Sequence, residues 1–388
     1  MRTDRRIKIL QVTIGDGSYG GVASFLYSYY SHMDHEKVQF DFLYCGENSL
    51  QSKMGSEVLK ESKITTLHAL KAKNNGIGEY RKLSRGLKRY FNENKYDIVH
   101  IHTANAFVSA LVTFYAKDYA VCIAHSHNTK SITKNGNKVV AAVKDVIRKP
   151  CRSYILAKNQ YYFACSKAAG VNLYGKKILT SPKFKIINNA IDVEKYAYNP
   201  EIRTACRAGE KIIFGQIGRL TEQKNPLFLL DVFEEIHKKE KNTELWMVGE
   251  GELKQTIEQA IQYKKLNDSV KLLGRREDVA ELMQGMDAFI FPSLYEGLSI
   301  VTIEAQASGL PIFASDSISP EHQITDLLFF IPLAYGADKW AEIIISRLKE
   351  QKPRRNMTRE LTEAGYEISD AAKRLERIYE KVLEENGL

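Results

Sequence analysis

The chain has 388 residues, 44% of them apolar and 27% charged, with a formal net charge of +9. These values exclude a disordered or collagen-like chain and allow a large core, more naturally split over two domains than held in one. The longest apolar stretch, near Phe107–Ala116, is too short to span a bilayer, and the basic opening Met1–Arg6 leads into a run broken by Lys8 and Gln11 rather than into a secretory leader.

In chain order, the first half alternates strand and helix. Ile7–Ile14 reads as a strand, followed by a glycine-rich turn over Gly15–Gly21 and a helix from Val22 to about His32. Gln39–Tyr44 and Ile98–His102 are strands, Ala106–Ala116 is a helix and Val121–His125 a strand. A strand near Tyr162–Cys165 runs into a helix at Lys167, and Lys185–Ile187 is strand-like. Such alternation predicts a parallel sheet covered on both faces. Polar residues and Pro200 mark a junction over Asp192–Ala208.

The second half repeats the pattern. Strands are predicted at Lys211–Ile217, Glu244–Val248, Val270–Leu273, Ala288–Phe291 and Pro311–Ala314, with helices at Pro226–Lys239, Leu253–Tyr263 and Val279–Met283. A last helix, Ser369–Leu383, lies beyond a break at Pro353. The domains expected are 1–195, 196–367 and a terminal helix over 368–388. Five scattered cysteines form no Cys-x-x-Cys pair and read as reduced thiols of a cytosolic protein.

Charge divides unevenly. Residues 1–190 hold 30 Lys and Arg against 13 Asp and Glu, net +17, whereas residues 191–388 hold 26 against 34, net −8. In Arg81–Phe91, apolar Leu83, Leu87 and Phe91 recur at helical spacing among Arg81, Lys82, Arg85, Lys88 and Arg89. Val139, Val140, Val143, Val146 and Ile147 repeat this beside Lys144, Arg148 and Lys149. Basic amphipathic helices on a basic domain predict attraction to an anionic membrane surface. A nucleic-acid binder would need aromatic platforms or a reading helix, and neither is evident.

Gly15-Asp-Gly17-Ser-Tyr-Gly20 spells a dinucleotide fingerprint, with Asp41 21 positions after Gly20. This makes an NAD(P)-dependent oxidoreductase the alternative reading. Against it, Asp41 sits inside a strand between Phe40 and Phe42, and the turn continues into a fourth glycine, Gly21.

The most informative segment is Glu296-Gly297-Leu298-Ser299-Ile300-Val301-Thr302-Ile303-Glu304. Two glutamates stand eight positions apart across a loop that turns into a helix. The turn offers backbone N–H groups at a helix N-terminus, which favours an anion, and paired carboxylates suit sugar hydroxyls. With Pro292, Ala305, Gly309 and Pro311 around it, the segment resembles the Glu-x7-Glu motif of the retaining glycosyltransferases of family 4, which have the GT-B fold. Gly218-Arg219-Leu220 and Lys224 resemble that family's Gly-Arg-Leu…Lys signature, with Asn225 in place of its usual glycine. Gly249-Glu250-Gly251 and Gly274-Arg275 match positions that shape the nucleotide pocket. His125 and His127, at a strand end where the family commonly has a histidine facing the sugar, compete for that role, and the His-Asn step favours His127. The two could also ligate a metal, though the sequence shows no third ligand.

The resemblance implies two Rossmann-like domains whose parallel sheets face an inter-domain cleft, with the terminal helix crossing back onto the first. It implies an enzyme that moves a sugar from a nucleoside-diphosphate sugar, a UDP-sugar in first place, to an acceptor hydroxyl with retention. Gly20 and Gly21 would approach the diphosphate. Arg219, Lys224 and the N–H groups of Leu298 and Ser299 would stabilise it as it leaves, Glu304 would bind the ribose and Glu296 the sugar. No cofactor and no metal are expected, the sequence having no Asp-x-Asp pair. The segment looks most like enzymes of capsule or exopolysaccharide assembly. That implies a polyprenyl-diphosphate-linked saccharide as acceptor, and a cytoplasmic protein peripheral at the inner face of the cell membrane.

Overall fold

The structure, a computed structural model, describes residues 5–14, 21–46, 60–70, 75–103, 105–129, 138–206, 209–350 and 352–388, with the side chains of 138–147 left aside. Gly15, Gly17 and Gly20 of the glycine-rich turn lie outside the described residues. So do Lys71 and the segment 130–137, and so do the side chains of Val139, Val140, Val143, Lys144, Val146 and Ile147. Two compact units form: residues 1–190 with 368–388, and residues 191–367.

The first unit begins with β1 (Ile7–Thr13), α1 (Gly21–Ser31), β2 (Val38–Tyr44), β3 (Ile64–Thr66), α2 (Ile77–Glu93) and β4 (Ile98–His102). It continues with α3 (Ala106–Ala116), β5 (Val121–Ser126), α4 (Lys138–Lys158), β6 (Tyr161–Ala164), α5 (Lys167–Tyr174) and β7 (Phe184–Ile186). The strands form one sheet in the order β3-β2-β1-β4-β5-β6-β7, and every pairing is parallel. Ile98, Val99 and Ile101 are buried on alternate faces, so β4 carries apolar residues on both, with His100 and His102 buried among them. One face packs Leu10, Val12 and Leu43 against Leu83, Leu87 and Phe91 of α2 and Val108 and Val112 of α3. The other packs Ile9, Phe40 and Phe42 against Phe25, Leu26, Tyr29 and Tyr30 of α1.

The second unit holds α6 (Val193–Tyr196), α7 (Pro200–Cys206), β8 (Ile212–Ile217), α8 (Pro226–Lys239), β9 (Thr243–Val248), α9 (Lys254–Tyr263) and β10 (Val270–Gly274). It goes on through α10 (Val279–Gly285), β11 (Ala288–Phe291), α11 (Ile300–Ala307), β12 (Ile312–Ser315), β13 (Leu328–Ile331), α12 (Gly336–Lys349) and α13 (Thr358–Glu363). Its parallel sheet runs β10-β9-β8-β11-β12-β13. Phe214, Leu245 and Met247 meet Leu229, Leu230 and Phe233 of α8 and Trp340 and Ile344 of α12 on one face. Met283 of α10 and Ala305 of α11 cover the other. Ile191 bridges to Glu367, so the switch between units falls at Ala190, and residues 191–195 belong with the second.

The chain then returns to the first unit in α14 (Ile368–Glu384). Ile368, Ala371, Ala372, Leu375, Tyr379, Val382 and Leu383 form one buried stripe at helical period beside α1.

Two expectations change. The apolar stripe of α2 faces the protein core, so Leu83, Leu87 and Phe91 are not available to lipid; only the exposed Arg81, Lys82, Arg85, Lys88 and Arg89 are. Asp41 is buried and accepts hydrogen bonds from the Tyr96 hydroxyl at 3.0 Å and the Lys63 N–H at 2.8 Å, which ties its carboxylate into the sheet rather than offering it to a ribose. Among the described residues, no helix is long and apolar enough to cross a membrane.

Candidate active site

In each sheet the strand order reverses at one point, between β1 and β4 and between β8 and β11, and open α/β sheets bind ligands at the carboxyl ends of the strands there. In the second unit, the loops leaving β8 and β11 converge on that point. The Leu294 N–H donates to the Gln223 carbonyl at 2.9 Å, and the Gln223 amide donates to the Tyr295 carbonyl at 3.0 Å. Between these contacts the Lys224 ammonium meets Glu296 Oε1 at 2.7 Å and lies 4.5 Å from the centre of the Phe291 ring. Both side chains are nearly buried, 13% and 8% exposed, so the pair sits where water screens it little. Two residues expected to contact a ligand separately thus hold each other. Arg219 is exposed on the same loop.

The backbone of this corner is specific. Asn225 adopts φ 53° and ψ 48°, the left-handed region that glycine favours and asparagine tolerates, so the departure from the family's glycine keeps the turn into α8. Beyond their strand ends β8, β9 and β10 stay laddered: the Gly218 N–H donates to the Val248 carbonyl at 2.9 Å and the Gly249 N–H to the Gly274 carbonyl at 2.7 Å. A side chain at Gly249 would place its Cβ 2.0 Å from the Gly218 carbonyl oxygen, so only glycine fits. Gly249 and Arg275 therefore follow neighbouring strand ends, with Arg275 exposed.

The motif loop is buried through Glu296, Gly297 and Leu298, and Ser299 caps α11. Ser299's N–H does not point to an empty anion site. It donates to His322 Nε2 at 3.1 Å, while His322 Nδ1–H donates to the Ser319 carbonyl at 2.9 Å. Those two bonds define a neutral imidazole, and burial holds its pKa below the usual range. Glu304, just over one turn into α11, lies by the Tyr196 hydroxyl; burial and then this carboxylate push Tyr196 upward. Gln216 on β8 is fully buried beside Gly218, and neither end of its amide finds a hydrogen bond among the described residues. His322 and Gln216 carry no motif, and nothing in the sequence marks them.

In the first unit, His100 and His102 on β4 face His125 on β5 and His127 just beyond it. His125 is fully buried and its Nδ1 lies 3.1 Å from His100 Nε2, which makes it an interior group. His127 is half-buried, 2.8 Å from His102, at the strand's carboxyl end. Burial holds all four well below the usual histidine range, His127 at about 3. The sequence shows no third ligand beside His125 and His127, yet the fold brings ring nitrogens of His100, His102 and His125 within 4.8 Å of one another. Gly21 opens α1.

Comparison with known proteins agrees with this architecture. Residues 19–195 match the family described as Glycosyltransferase Family 4, and residues 200–364 match Glycosyl transferases group 1. The chain is 30% identical over 372 residues to the glycosyltransferase EpsF of Bacillus subtilis, covering 93% of each chain. It is 27% identical over 244 residues to the UDP-Gal:alpha-D-GlcNAc-diphosphoundecaprenol alpha-1,3-galactosyltransferase of Escherichia coli, covering 59% of this chain and 60% of that one. Among solved structures, Anabaena Alr3699/HepE in complex with UDP superposes with a TM-score of 0.74 at 15% identity, covering 97% of this chain and all of that one. The nicotinamide alternative finds no counterpart in these matches, and the chain belongs to the family 4 glycosyltransferases of the GT-B fold.

Proposed function

We propose that this glycosyltransferase moves a sugar from a UDP-sugar to a hydroxyl of a polyprenyl-diphosphate-linked saccharide, with retention, in the assembly of a capsule or exopolysaccharide. The observation that carries the reading is the nearly buried Lys224–Glu296 pair at the β8/β11 switch point, with Arg219 on the same loop. An ammonium and a guanidinium there suit a departing diphosphate, the charge a sugar transfer must stabilise. With Ser299's N–H engaged by His322, these two cations are the principal groups for it. On binding, the diphosphate draws Lys224 and leaves Glu296 for the sugar hydroxyls, while Glu304 turns from Tyr196 to the ribose. The leaving phosphate takes the acceptor proton, so no side chain is needed as nucleophile, and the cations stand in for a divalent ion. UDP as the nucleotide and a lipid-linked saccharide as the acceptor are supported by the names of the HepE complex and the Escherichia coli relative.

Membrane attraction on this reading is electrostatic. The exposed cations of α2 face outward, and Ile77 at its start is 73% exposed, so lipid meets charges and one apolar tip rather than a buried stripe.

The test is release of nucleoside diphosphate from UDP-, GDP- and ADP-sugars, with and without a membrane-lipid extract, for wild type and Glu304→Ala, with NAD(P)H turnover followed alongside. Release of UDP that depends on Glu304 and rises with lipid is expected. Release from another nucleotide corrects the base, indifference to lipid removes the acceptor assignment, and silence with every donor ends the reading.

A further inference from the structure

On the sheet face covered by α1 and α14, six polar groups form two adjoining strings. His127 Nε2 lies 2.8 Å from His102 Nδ1, and His102 Nε2 lies 2.7 Å from the amide oxygen of Gln11 on β1. Gln11 Nε2 has no hydrogen-bond partner among the described residues, and beside it a second string runs from the Tyr379 hydroxyl of α14, 2.8 Å from His100 Nδ1, to His100 Nε2, 3.1 Å from His125 Nδ1. That string ends at His125 Nε2, which has no hydrogen-bond partner among the described residues. There His125 stands edge-on to Phe25 and Phe163, with centroids at 5.2 and 5.9 Å.

No metal ion fits on the line between either facing pair of rings. In both facing pairs the ring centroids are 5.1 Å apart with nitrogens at 2.8 and 3.1 Å, so the two ring axes lie nearly along the contact and the nitrogens point at each other. An ion between such nitrogens, at about 2.0–2.1 Å from each, would hold them about 4 Å apart. Protons hold both strings.

At the His127 end their order follows from one group. A neutral imidazole has one N–H and one lone pair, and an amide oxygen only accepts. His102 therefore carries its proton on Nε2, donating to Gln11, and its Nδ1 is a lone pair. His127 must then donate from Nε2, which leaves His127 Nδ1 as a lone pair that no described residue partners.

We propose that Gln11 and His102 are positioning residues that lock His127 in the Nε2–H tautomer, so that His127 presents Nδ1 as a hydrogen-bond acceptor to a substrate hydroxyl. Desolvation lowers the pKa of His127, which favours the neutral ring. The choice of ligand rests on the transferase reading above; the tautomer does not. A site built around a bare acceptor selects a sugar that carries the hydroxyl and rejects its deoxy analogue.

The experiment is long-range nitrogen–proton NMR on the full chain labelled at histidine nitrogens, with the His127→Asn spectrum assigning the ring. In wild type, His127 is expected with its proton on Nε2; a proton on Nδ1 overturns the proposal outright. Gln11→Leu removes the acceptor, lets His102 hold its proton on Nδ1 and inverts His127, whereas Tyr379→Phe cuts only the second string and leaves His127 as it was. An unchanged His127 in Gln11→Leu overturns the role of Gln11. If that variant does not fold, the wild-type tautomer still decides the proton order. In the donor assay Gln11→Leu is expected to lower kcat/KM by roughly ten- to a hundredfold, and inversion without loss of rate overturns hydroxyl recognition. A correct tautomer in a protein that transfers no sugar keeps the string and ends the transferase reading instead.

Discussion

The two switch points are built from opposite materials. That of the second unit gathers charge: Lys224 against Glu296, with Arg219 beside them. That of the first unit gathers four imidazoles, every one kept neutral by burial. The contrast runs against the net charge of each body. The first unit carries 34 Lys and Arg against 18 Asp and Glu, net +16, and the second 22 against 29, net −7. The acidic unit thus keeps cations at its strand ends, while among the described residues the basic unit sets imidazoles at its switch point and exposes five of its cations on α2. Net charge describes what a domain drifts towards; the groups at the switch point describe what it handles once there.

The largest effect expected is at the charged point. Lys224→Ala strands the Glu296 carboxylate in a nearly buried position, which costs about 3–5 kcal/mol, and removes a cation from the proposed diphosphate site, lowering kcat by about a thousandfold. Denaturant unfolding and steady-state kinetics measure the two separately. A folded variant with full activity would give the first unit the dominant electrostatic role. The comparison sharpens next with pH. His100, His102, His125 and His127 in the first unit, and His237 and His322 in the second, all titrate below the unfolded value when folded. The unfolded chain therefore takes up protons first as pH falls below about 6.5. Stability is complete above that value and declines towards the folded pKa values, by about 1.4 kcal/mol per pH unit for each histidine. Hydrogen exchange at pH 7, 6 and 5 should show protection falling about twice as steeply in the first unit, with four histidines against two. Equal slopes would mean the strings are already protonated and not neutral. The smallest effect on the fold is on α2. Arg85→Glu with Lys88→Glu should change stability by no more than about 0.5 kcal/mol and weaken binding to anionic vesicles. Unchanged binding in low salt would take α2 out of the membrane reading.

Most of both sheets was legible in the sequence because parallel strands buried on both faces leave apolar runs, continuous at Ala288–Phe291 and broken only by His100 at Ile98–Ile101. The edge strands β3 and β13 were not, being three and four residues long and partly exposed. In α2 the period was legible but its destination was not: Leu83, Leu87 and Phe91 make the same stripe whether lipid or a sheet covers them. The candidate site divides similarly. Arg219, Lys224, Glu296 and Glu304 stand in recognisable spacing, yet nothing in a linear order states that Lys224 and Glu296, 72 positions apart, neutralise each other. Gln216 and His322 were invisible because each matters only through a neighbour the fold supplies. His102 carries no motif. It is interior, but parallel register sets it opposite His125, and its Nδ1 meets His127.

The return of the chain in α14 has a consequence for how the protein is made. Tyr29, Phe40 and Tyr379 share one core, yet Ala190 and Ile368 are separated by the 177 residues of the second unit. At roughly 5–20 residues per second, a ribosome needs about ten to thirty-five seconds to cross that insertion. Throughout that interval the nascent first unit lacks one wall, with the side of α1 and the part of the sheet that α14 covers open to water and to any apolar partner. The second unit, contiguous in sequence, has everything it needs to close first. The half that begins the polypeptide is therefore the half that finishes last, and the Tyr379 link in the histidine string is among its final pieces.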